Sequence, residues 1–163
     1  MRVTDQYFWN IVFSIFFLTL VVLGIIILDT EATKSLEEVT VMDMVLISLA
    51  TFRLIRLFVY DKITAFFREQ FYDVEVVRKQ VRLVKPERGP KRTILDLLLC
   101  PWCLGVWAGA VVTFFYFLTP LSHFPVLFLA LAGVASFIQI LINMIGWKAE
   151  QLKGEVEKAG KKK

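Results

Sequence analysis

The sequence predicts an all-α integral membrane protein with four transmembrane helices and an amphipathic segment between the second and the third. Three observations support this fold class: apolar runs of membrane length, an apolar content of 57% with mean hydropathy +0.64, and basic residues gathered on one side. A helix needs ~20 apolar residues to cross a bilayer. Four runs approach that length, namely Tyr7–Leu28, Val41–Tyr60, Trp102–Leu118 and Phe124–Trp147.

The distribution of charge predicts the orientation. Four crossings place residues 1–6, 61–99 and 148–163 in one compartment, and these segments hold sixteen of the nineteen Lys and Arg residues. The other side holds only Lys34. Because basic loops stay in the cytoplasm, we expect both termini on the cytoplasmic side of the membrane. The boundary on that side also carries the tryptophans, Trp9, Trp102, Trp107 and Trp147.

The same pattern predicts the domain organisation and the partners. Residues 1–40 form a signal-anchor helix and an acidic outer loop, because 22 uncharged residues exceed a cleavable signal core. Residues 41–147 form a three-helix membrane core with a basic cytoplasmic loop, and residues 148–163 form a charged tail. The basic face, including Lys161–Lys163, suits anionic lipid headgroups. Nucleic acid is not an expected partner, since no recognition motif accompanies the charge.

The loop between helices two and three has two interpretations over part of its length. Apolar residues at steps of three and four predict an amphipathic surface helix from Ile63 to about Tyr72. Residues 74–84 are rich in valine and permit either more helix or a hairpin. Pro86 and Gly89-Pro90 end this segment, and Arg92–Leu99 is predicted to be a short helix.

Two arginines inside helix two form the first candidate site. Arg53 and Arg56 lie three residues apart and share one helix face. A polar stripe on helix four is predicted to face them at the same depth; it comprises Ser136, Gln139, Asn143 and Gly146. A membrane arginine indicates a functional site, yet packing and contact with lipid phosphates explain the pattern as well.

Two cysteines form the second candidate site. Pro101 suits the first turn of a helix, which places Cys100 at the N-cap beside free N–H groups and favours a reactive thiolate. Three interpretations of Cys100 and Cys103 remain open: packing thiols, redox or regulatory thiols, and zinc shared between two subunits. One subunit has no four-ligand set, because the only histidine, His123, lies in the outer loop. A structural disulfide is not expected in the cytoplasm.

Small residues predict where helices approach closely. Gly105, Gly109 and Thr113 follow one face of helix three, and Ala132 and Ser136 do so on helix four. Both sets suit either an antiparallel hairpin of helices three and four or a homo-oligomer. We find no Ser/His/Asp set, glycine-rich phosphate loop or HExxH helix, so no enzyme is predicted. The function hypotheses are a membrane scaffold or accessory protein, a thiol-active protein, and a holin-like pore-forming oligomer.

Two motifs resemble a known family. The first motif is Thr51-Phe52-Arg53-Leu54-Ile55-Arg56-Leu57, which closes on Tyr60-Asp61-Lys62. The second motif is Cys100-Pro101-Trp102-Cys103-Leu104-Gly105-Val106-Trp107. Together they resemble a small bacterial membrane-protein family that is catalogued as a domain of unknown function and includes the sporulation-associated protein YjcA. The resemblance spans roughly Val41–Leu118 and extends to helix four. It implies that the Cys-x-x-Cys element works with the arginine-bearing helix, and it implies no reaction.

Overall fold

The computed structural model describes residues 2–32, 38–77 and 80–160, and the side chains of residues 6–32, 38–75 and 82–155. Lys34 and Lys161–Lys163 lie outside the described residues. The described helices are α1 (Arg2–Glu31), α2 (Val41–Val59), α3 (Ala65–Glu69), α4 (Pro90–Leu99), α5 (Pro101–Leu118) and α6 (His123–Gly160). The described strands are β1 (Asp73–Val77) and β2 (Gln80–Val84), and 3₁₀ turns occupy Lys62–Thr64 and Pro120–Ser122.

Helix α2 is the centre of the bundle, packed against both α5 and α6. It begins with a capping box, in which Asp43 N–H donates to Thr40 Oγ1 at 3.3 Å and Thr40 N–H donates to Asp43 Oδ2 at 2.8 Å. Ala50, in its middle, is fully buried. The core around it comprises Val112, Tyr116 and Phe117 of α5 with Val126 and Ala130 of α6.

The α2 and α5 helices are antiparallel, and three contacts fix their register. Tyr116 meets Asp43 at one end, a Cβ on Gly109 would lie 3.7 Å from Thr51 Cγ2, and one on Gly105 would lie 3.2 Å from Ile55 Cδ1. In each pair the two residue numbers add to about 160. This register places Cys100 level with Tyr60, so the thiols and the arginines lie at the same end of the bundle.

The α2 and α6 helices are parallel and approach most closely at Gly133. A Cβ added there would lie 2.5 Å from the Leu49 carbonyl oxygen, closer than any side chain tolerates. The Phe52 and Phe137 rings stack edge to face 6.5 Å apart one turn further on. The predicted antiparallel hairpin of α5 and α6 is present, joined through the turn at Pro120–Ser122. The two helices are consecutive and antiparallel, but α2 takes the inner faces of both.

Helix α1 lies at the edge of the bundle, against α5 and α4. Phe17 packs on Trp107 with ring centroids 4.8 Å apart, and Gln6 Nε2 donates to Thr93 Oγ1 at 3.0 Å. None of the residues in its most apolar window is buried. Contact between apolar surface and water costs ~25 cal/mol per Å². The exposed apolar surface of α1 is therefore more stable against lipid or another protein than against water.

Three helical segments in the described part of the chain are long and apolar enough to cross a membrane: Gln6–Glu31, Pro101–Leu118 and Pro120–Glu155. Helix α2 is as long as α5 but carries Asp43, Arg53 and Arg56, so composition alone does not assign it a crossing. Helix α6 continues without a break past Trp147, so the predicted charged tail is helical over its described residues.

The connection between α2 and α4 corrects the all-α prediction. The surface helix is short, since α3 ends at Glu69, and the valine-rich segment forms a hairpin instead. Strands β1 and β2 pair antiparallel, with Asp73 opposite Val84 and Val77 opposite Gln80. The β-branched side chains favour the extended backbone there. Gly89, with φ +86°, then turns the chain so that Pro90 can begin α4, and the predicted short helix is present.

Candidate functional site

Arg53 is held by a carboxylate of the same chain. Its Nη2 lies 3.0 Å from Asp61 Oδ2, and the two side chains are 25% and 28% exposed. Asp61 follows the end of α2 directly, and its N–H still donates to the Arg56 carbonyl oxygen at 3.1 Å. The chain turns at the end of α2, and this turn directs the Asp61 carboxylate back toward Arg53 on the helix. This ion pair neutralises the deeper of the two arginines.

Arg56 is held by an aromatic ring instead of an anion. Its guanidinium carbon lies 5.1 Å from the centroid of the Tyr60 ring, one turn further along the helix. Such a contact contributes ~0.5–2 kcal/mol, depending on how dry it is. Arg56 Nε is buried and makes no hydrogen bond to the residues that the structure describes. Among the described residues, Arg53 therefore has a carboxylate partner, whereas Arg56 has an aromatic one.

A third arginine caps α2, and the sequence reading did not identify it. Arg68 Nη1 donates to the Phe58 carbonyl oxygen at 2.6 Å and to the Asp61 carbonyl oxygen at 3.2 Å. Thr64 Oγ1 accepts from the same nitrogen at 3.2 Å and itself donates to the Leu57 carbonyl oxygen. The last carbonyl groups of a helix have no partner inside it. Arg68 of α3 and Thr64 of the preceding 3₁₀ turn supply that partner.

The polar stripe of α6 does not meet these arginines. Gln139 Nε2 donates to Asn143 Oδ1 at 3.1 Å, both side chains are exposed, and Gly146 has open space around it. Ser136 Oγ donates to the Ala132 carbonyl oxygen at 2.8 Å. The prediction that the stripe faces α2 is wrong for its amides. Gln139 and Asn143 follow Gly133 by six and ten residues, which turns them about 120° and about 80° away from the side of α6 that contacts α2.

The two cysteines form a helix start, as the position of Pro101 predicts. Cys100 is the N-cap of α5, and its Sγ accepts from the Cys103 N–H at 3.3 Å. The pKa of Cys100 is lowered, first by the hydrogen bond from the Cys103 side chain and then by those from the backbone. Both thiols are free, and Cys103 is the more exposed. Cys100 is thus the thiol that ionises more readily, and Cys103 is the more accessible thiol.

The glycines of α5 serve contacts within the chain. Gly105 and Gly109 both face α2, which corrects the expectation that they serve an α5–α6 hairpin or a homo-oligomer. Thr113 lies one turn after Gly109, turned about 40° around α5. It lines an apolar groove of about 450 Å³ between α1 and α5, where Phe114 packs against Gly24.

The opposite end of the bundle holds a second polar cluster that the sequence reading missed. Tyr116 Oη donates to Asp43 Oδ1 at 2.6 Å, and Thr40 Oγ1 donates to Asp43 Oδ2 at 2.8 Å. The Tyr116 ring also packs on His123 with centroids 4.4 Å apart. The Thr-x-x-Asp spacing before an apolar run signals a capping box in the sequence. Nothing in the sequence signals that Tyr116, 73 residues later, would bind the same carboxylate.

Comparison with known proteins identifies the family. A family model described as a protein of unknown function (DUF1360) matches residues 46–142, which is more than half of the chain. The chain belongs to this family. No solved structure matches it. The matched segment begins inside α2 and ends inside α6, so α1 lies outside the DUF1360 segment and both arginines and both cysteines lie within it.

Two curated DUF1360-like relatives come from Bacillus subtilis strain 168. The sporulation protein YjcA is 35% identical over 106 residues, which cover 61% of this chain and 90% of the relative. The UPF0713 protein YngL is 28% identical over 110 residues, which cover 67% of this chain and 85% of the relative. These matches confirm the resemblance that the two motifs carry, and they name no reaction.

We searched the described residues for side chains that could together hold a metal ion. Among them no three or more His, Cys, Asp and Glu side chains gather closely enough to hold a metal ion. Asp96, one turn before Cys100, is engaged by Lys85 and lies 3.8 Å from Arg92 Nε. Zinc shared between two subunits, with Cys100 and Cys103 from each, therefore stays a proposal that needs a second copy of the chain.

Proposed function

We propose that this DUF1360 protein is a non-enzymatic membrane scaffold or accessory protein that crosses the bacterial plasma membrane four times. The observation that carries the proposal is the engagement of the arginine end by the chain itself. Asp61 pairs with Arg53, Tyr60 lies under Arg56, and Arg68 caps the helix. The arginines thereby brace the end of the central helix instead of lining a cavity for a substrate.

The position of α2 supports the fourth crossing. Its 19 residues span about 28 Å, close to the thickness of the hydrocarbon layer. Asp43 lies at one end and the arginines at the other, and the nine residues Met44–Phe52 between them are uncharged. Helices α5 and α6 cover the middle of α2, so its charges lie near the two membrane surfaces, where long side chains can reach water.

Reporter fusions test the topology. We expect a reporter after Lys163, or one inserted near Arg88, to be active in the cytoplasm, because both lie among the basic segments. A reporter inserted at Leu121, between α5 and α6, should be active outside. A cytoplasmic signal at Leu121 or an external signal after Lys163 would contradict the four-crossing arrangement. Anionic lipid should bind at the basic side, which vesicle flotation with and without anionic lipid measures.

A thiol activity is the second candidate, and the Cys100 geometry favours it. The Cys100 thiolate would attack a disulfide of a partner protein, forming a mixed disulfide and releasing one partner thiolate. Cys103 would then attack Cys100 Sγ, which releases the second partner thiolate and leaves the two cysteines oxidised to a Cys100–Cys103 disulfide. Quantifying trapped mixed disulfides in the Cys103→Ser variant tests this. A Cys100→Ser, Cys103→Ser chain is the control, and equal capture by both would exclude thiol exchange. The pore-forming hypothesis keeps only chain length and helix number in its favour, and a liposome leakage assay tests it.

A further inference from the structure

Helix α6 carries a pair of amides on a face that is otherwise apolar. Gln139 and Asn143 are exposed, and the neighbouring Ile138 and Ile142 are 50% and 56% exposed. In the proposed membrane arrangement, on which this inference rests, that face meets lipid. Amide groups lose their water there, and each unmet hydrogen bond costs several kcal/mol.

The two amides satisfy each other only in part. One hydrogen bond joins them, from Gln139 Nε2 to Asn143 Oδ1. Within the described residues, Gln139 Oε1 and Asn143 Nδ2 have no hydrogen-bond partner. The Gln139 carbonyl oxygen, the second N–H of Gln139 and both N–H groups of Asn143 therefore remain on the surface of the helix.

Small residues extend the same face. Ala135 lies one turn before Gln139 and is exposed, and Gly146 lies about one turn after Asn143 with no heavy atom within 4 Å of an added Cβ. A second helix can approach closely over such residues, and amides at the contact supply interhelical hydrogen bonds. We call Ala135, Gln139, Asn143 and Gly146 the amide face.

We propose that the amide face joins two copies of this chain in a parallel α6–α6 dimer. A carboxamide carries both a donor and an acceptor, so the same side chain on a second copy complements it without any other partner. Two copies inserted with the same orientation can be related by a two-fold axis along the membrane normal, which brings identical residues together. The small faces of α5 and α6 that a dimer could otherwise use, at Gly105, Gly109 and Gly133, already contact α2.

Disulfide crosslinking in membranes tests the dimer. In a full-length chain with Cys100→Ser and Cys103→Ser, we compare Gly146→Cys with Ile145→Cys under mild oxidation. Both positions are exposed at the same depth, but only Gly146 lies on the amide face. We expect the Gly146→Cys chain to crosslink at least fivefold more, and Gln139→Leu with Asn143→Leu to reduce that crosslinking roughly three- to tenfold. Thr19→Val, which removes a polar group from exposed α1, is the matched control and should change nothing.

Each outcome decides between the alternatives. Equal crosslinking at both positions, or no effect of the leucine pair, would overturn the dimer, since random collision or a different partner would then cover the face. No crosslinking in a chain that resists alkaline extraction from membranes would also overturn the dimer while leaving the membrane proposal intact. A chain that alkaline extraction releases would instead refute the membrane proposal on which the dimer rests.

Discussion

Asp43 shows how one side chain can serve both a helix start and a contact between helices. It is only 6% exposed, and its two carboxylate oxygens accept from Thr40 and from Tyr116. A buried carboxylate is tolerated where hydrogen bonds replace its hydration. Asp43 therefore ties the start of α2 to the end of α5, at the opposite end from the arginines.

The Tyr116→Phe variant tests this tie. It removes the hydroxyl that donates to Asp43 Oδ1 and leaves the aromatic packing in place. We expect the free energy of unfolding in detergent to fall by about 1–3 kcal/mol, because a hydrogen bond to a charged group is lost inside the protein. Tyr7→Phe is the control, since Tyr7 is 62% exposed. Equal stability of the two variants would show that the Tyr116 hydroxyl contributes nothing.

The thiol turn gives a prediction about pH. Because hydrogen bonds lower the pKa of Cys100, its thiolate forms at lower pH than an ordinary thiolate does. We expect a Cys103→Ser chain, which keeps Cys100 and a hydroxyl in place of the second thiol, to be alkylated faster at pH 7 than a Cys100→Ser chain. Its rate should also begin to rise at lower pH. A faster Cys100→Ser chain would mean that exposure governs reactivity and would end the thiol-exchange hypothesis.

At the scale of elements, α2 owes its central place to small residues on its neighbours. Gly133 lets α6 approach the α2 backbone, and Gly105 and Gly109 accommodate side chains of α2. In the proposed membrane arrangement, lipid gives apolar helices no hydrophobic reason to pair, so close van der Waals packing would hold them together. The positions of these glycines thus select which faces of α5 and α6 turn inward.

The Gly133→Ala variant tests the closest approach. Its Cβ would lie 2.5 Å from the Leu49 carbonyl oxygen, so α2 and α6 must separate. We expect a loss of about 1–3 kcal/mol in stability, the usual effect of overpacking. Gly154→Ala is the same change on the same helix where space is open, and it should be neutral or stabilising by up to ~1 kcal/mol. Equal effects of the two variants would contradict the packing described for α2 and α6.

The ion pair at the end of α2 can be tested by a double-mutant cycle. Asp61→Asn leaves the half-buried Arg53 without its anion, and we expect a loss of about 1–2 kcal/mol, less than for a fully buried pair. Combining it with Arg53→Leu removes the stranded charge, so the double variant should be more stable than Asp61→Asn alone. Thermal unfolding of the variants in detergent measures this. Simple additivity of the two single losses would show that the pair does not interact.

At the scale of the whole molecule, the chain is a three-helix core with one helix added at its edge. The core of α2, α5 and α6 coincides with most of the DUF1360 match, whereas α1 lies outside it. Helix α1 contacts the rest through Trp107 and Thr93 and leaves a groove beside α5. In the proposed membrane arrangement, most of its apolar surface faces lipid, and Leu28 packs against the core.

Removal of residues 1–37 tests this division. We expect the remaining chain to keep its helical circular dichroism and to unfold cooperatively, with a midpoint lowered by a few degrees, because the described contacts of α1 are mainly with α4 and α5 and not with the central helix α2. Loss of cooperative unfolding would show that α1 is part of the core. A Gln6→Ala full-length chain is the milder comparison, since it removes only the hydrogen bond to Thr93.

The sequence alone determined the helices and their composition, because apolar length, the Pro101 start and the motif around Arg53 are local properties of the chain. The motifs around Arg53 and Cys100 are also local, so the sequence alone indicated the family. Only the tertiary structure decided which faces meet. A turn of 120° on α6 separates Gly133 from Gln139, and both faces are apolar enough to suit either lipid or a neighbouring helix. The partners of Asp43, and the cap that Arg68 gives α2, depend on residues distant along the chain or beyond a turn, so no local pattern could specify them.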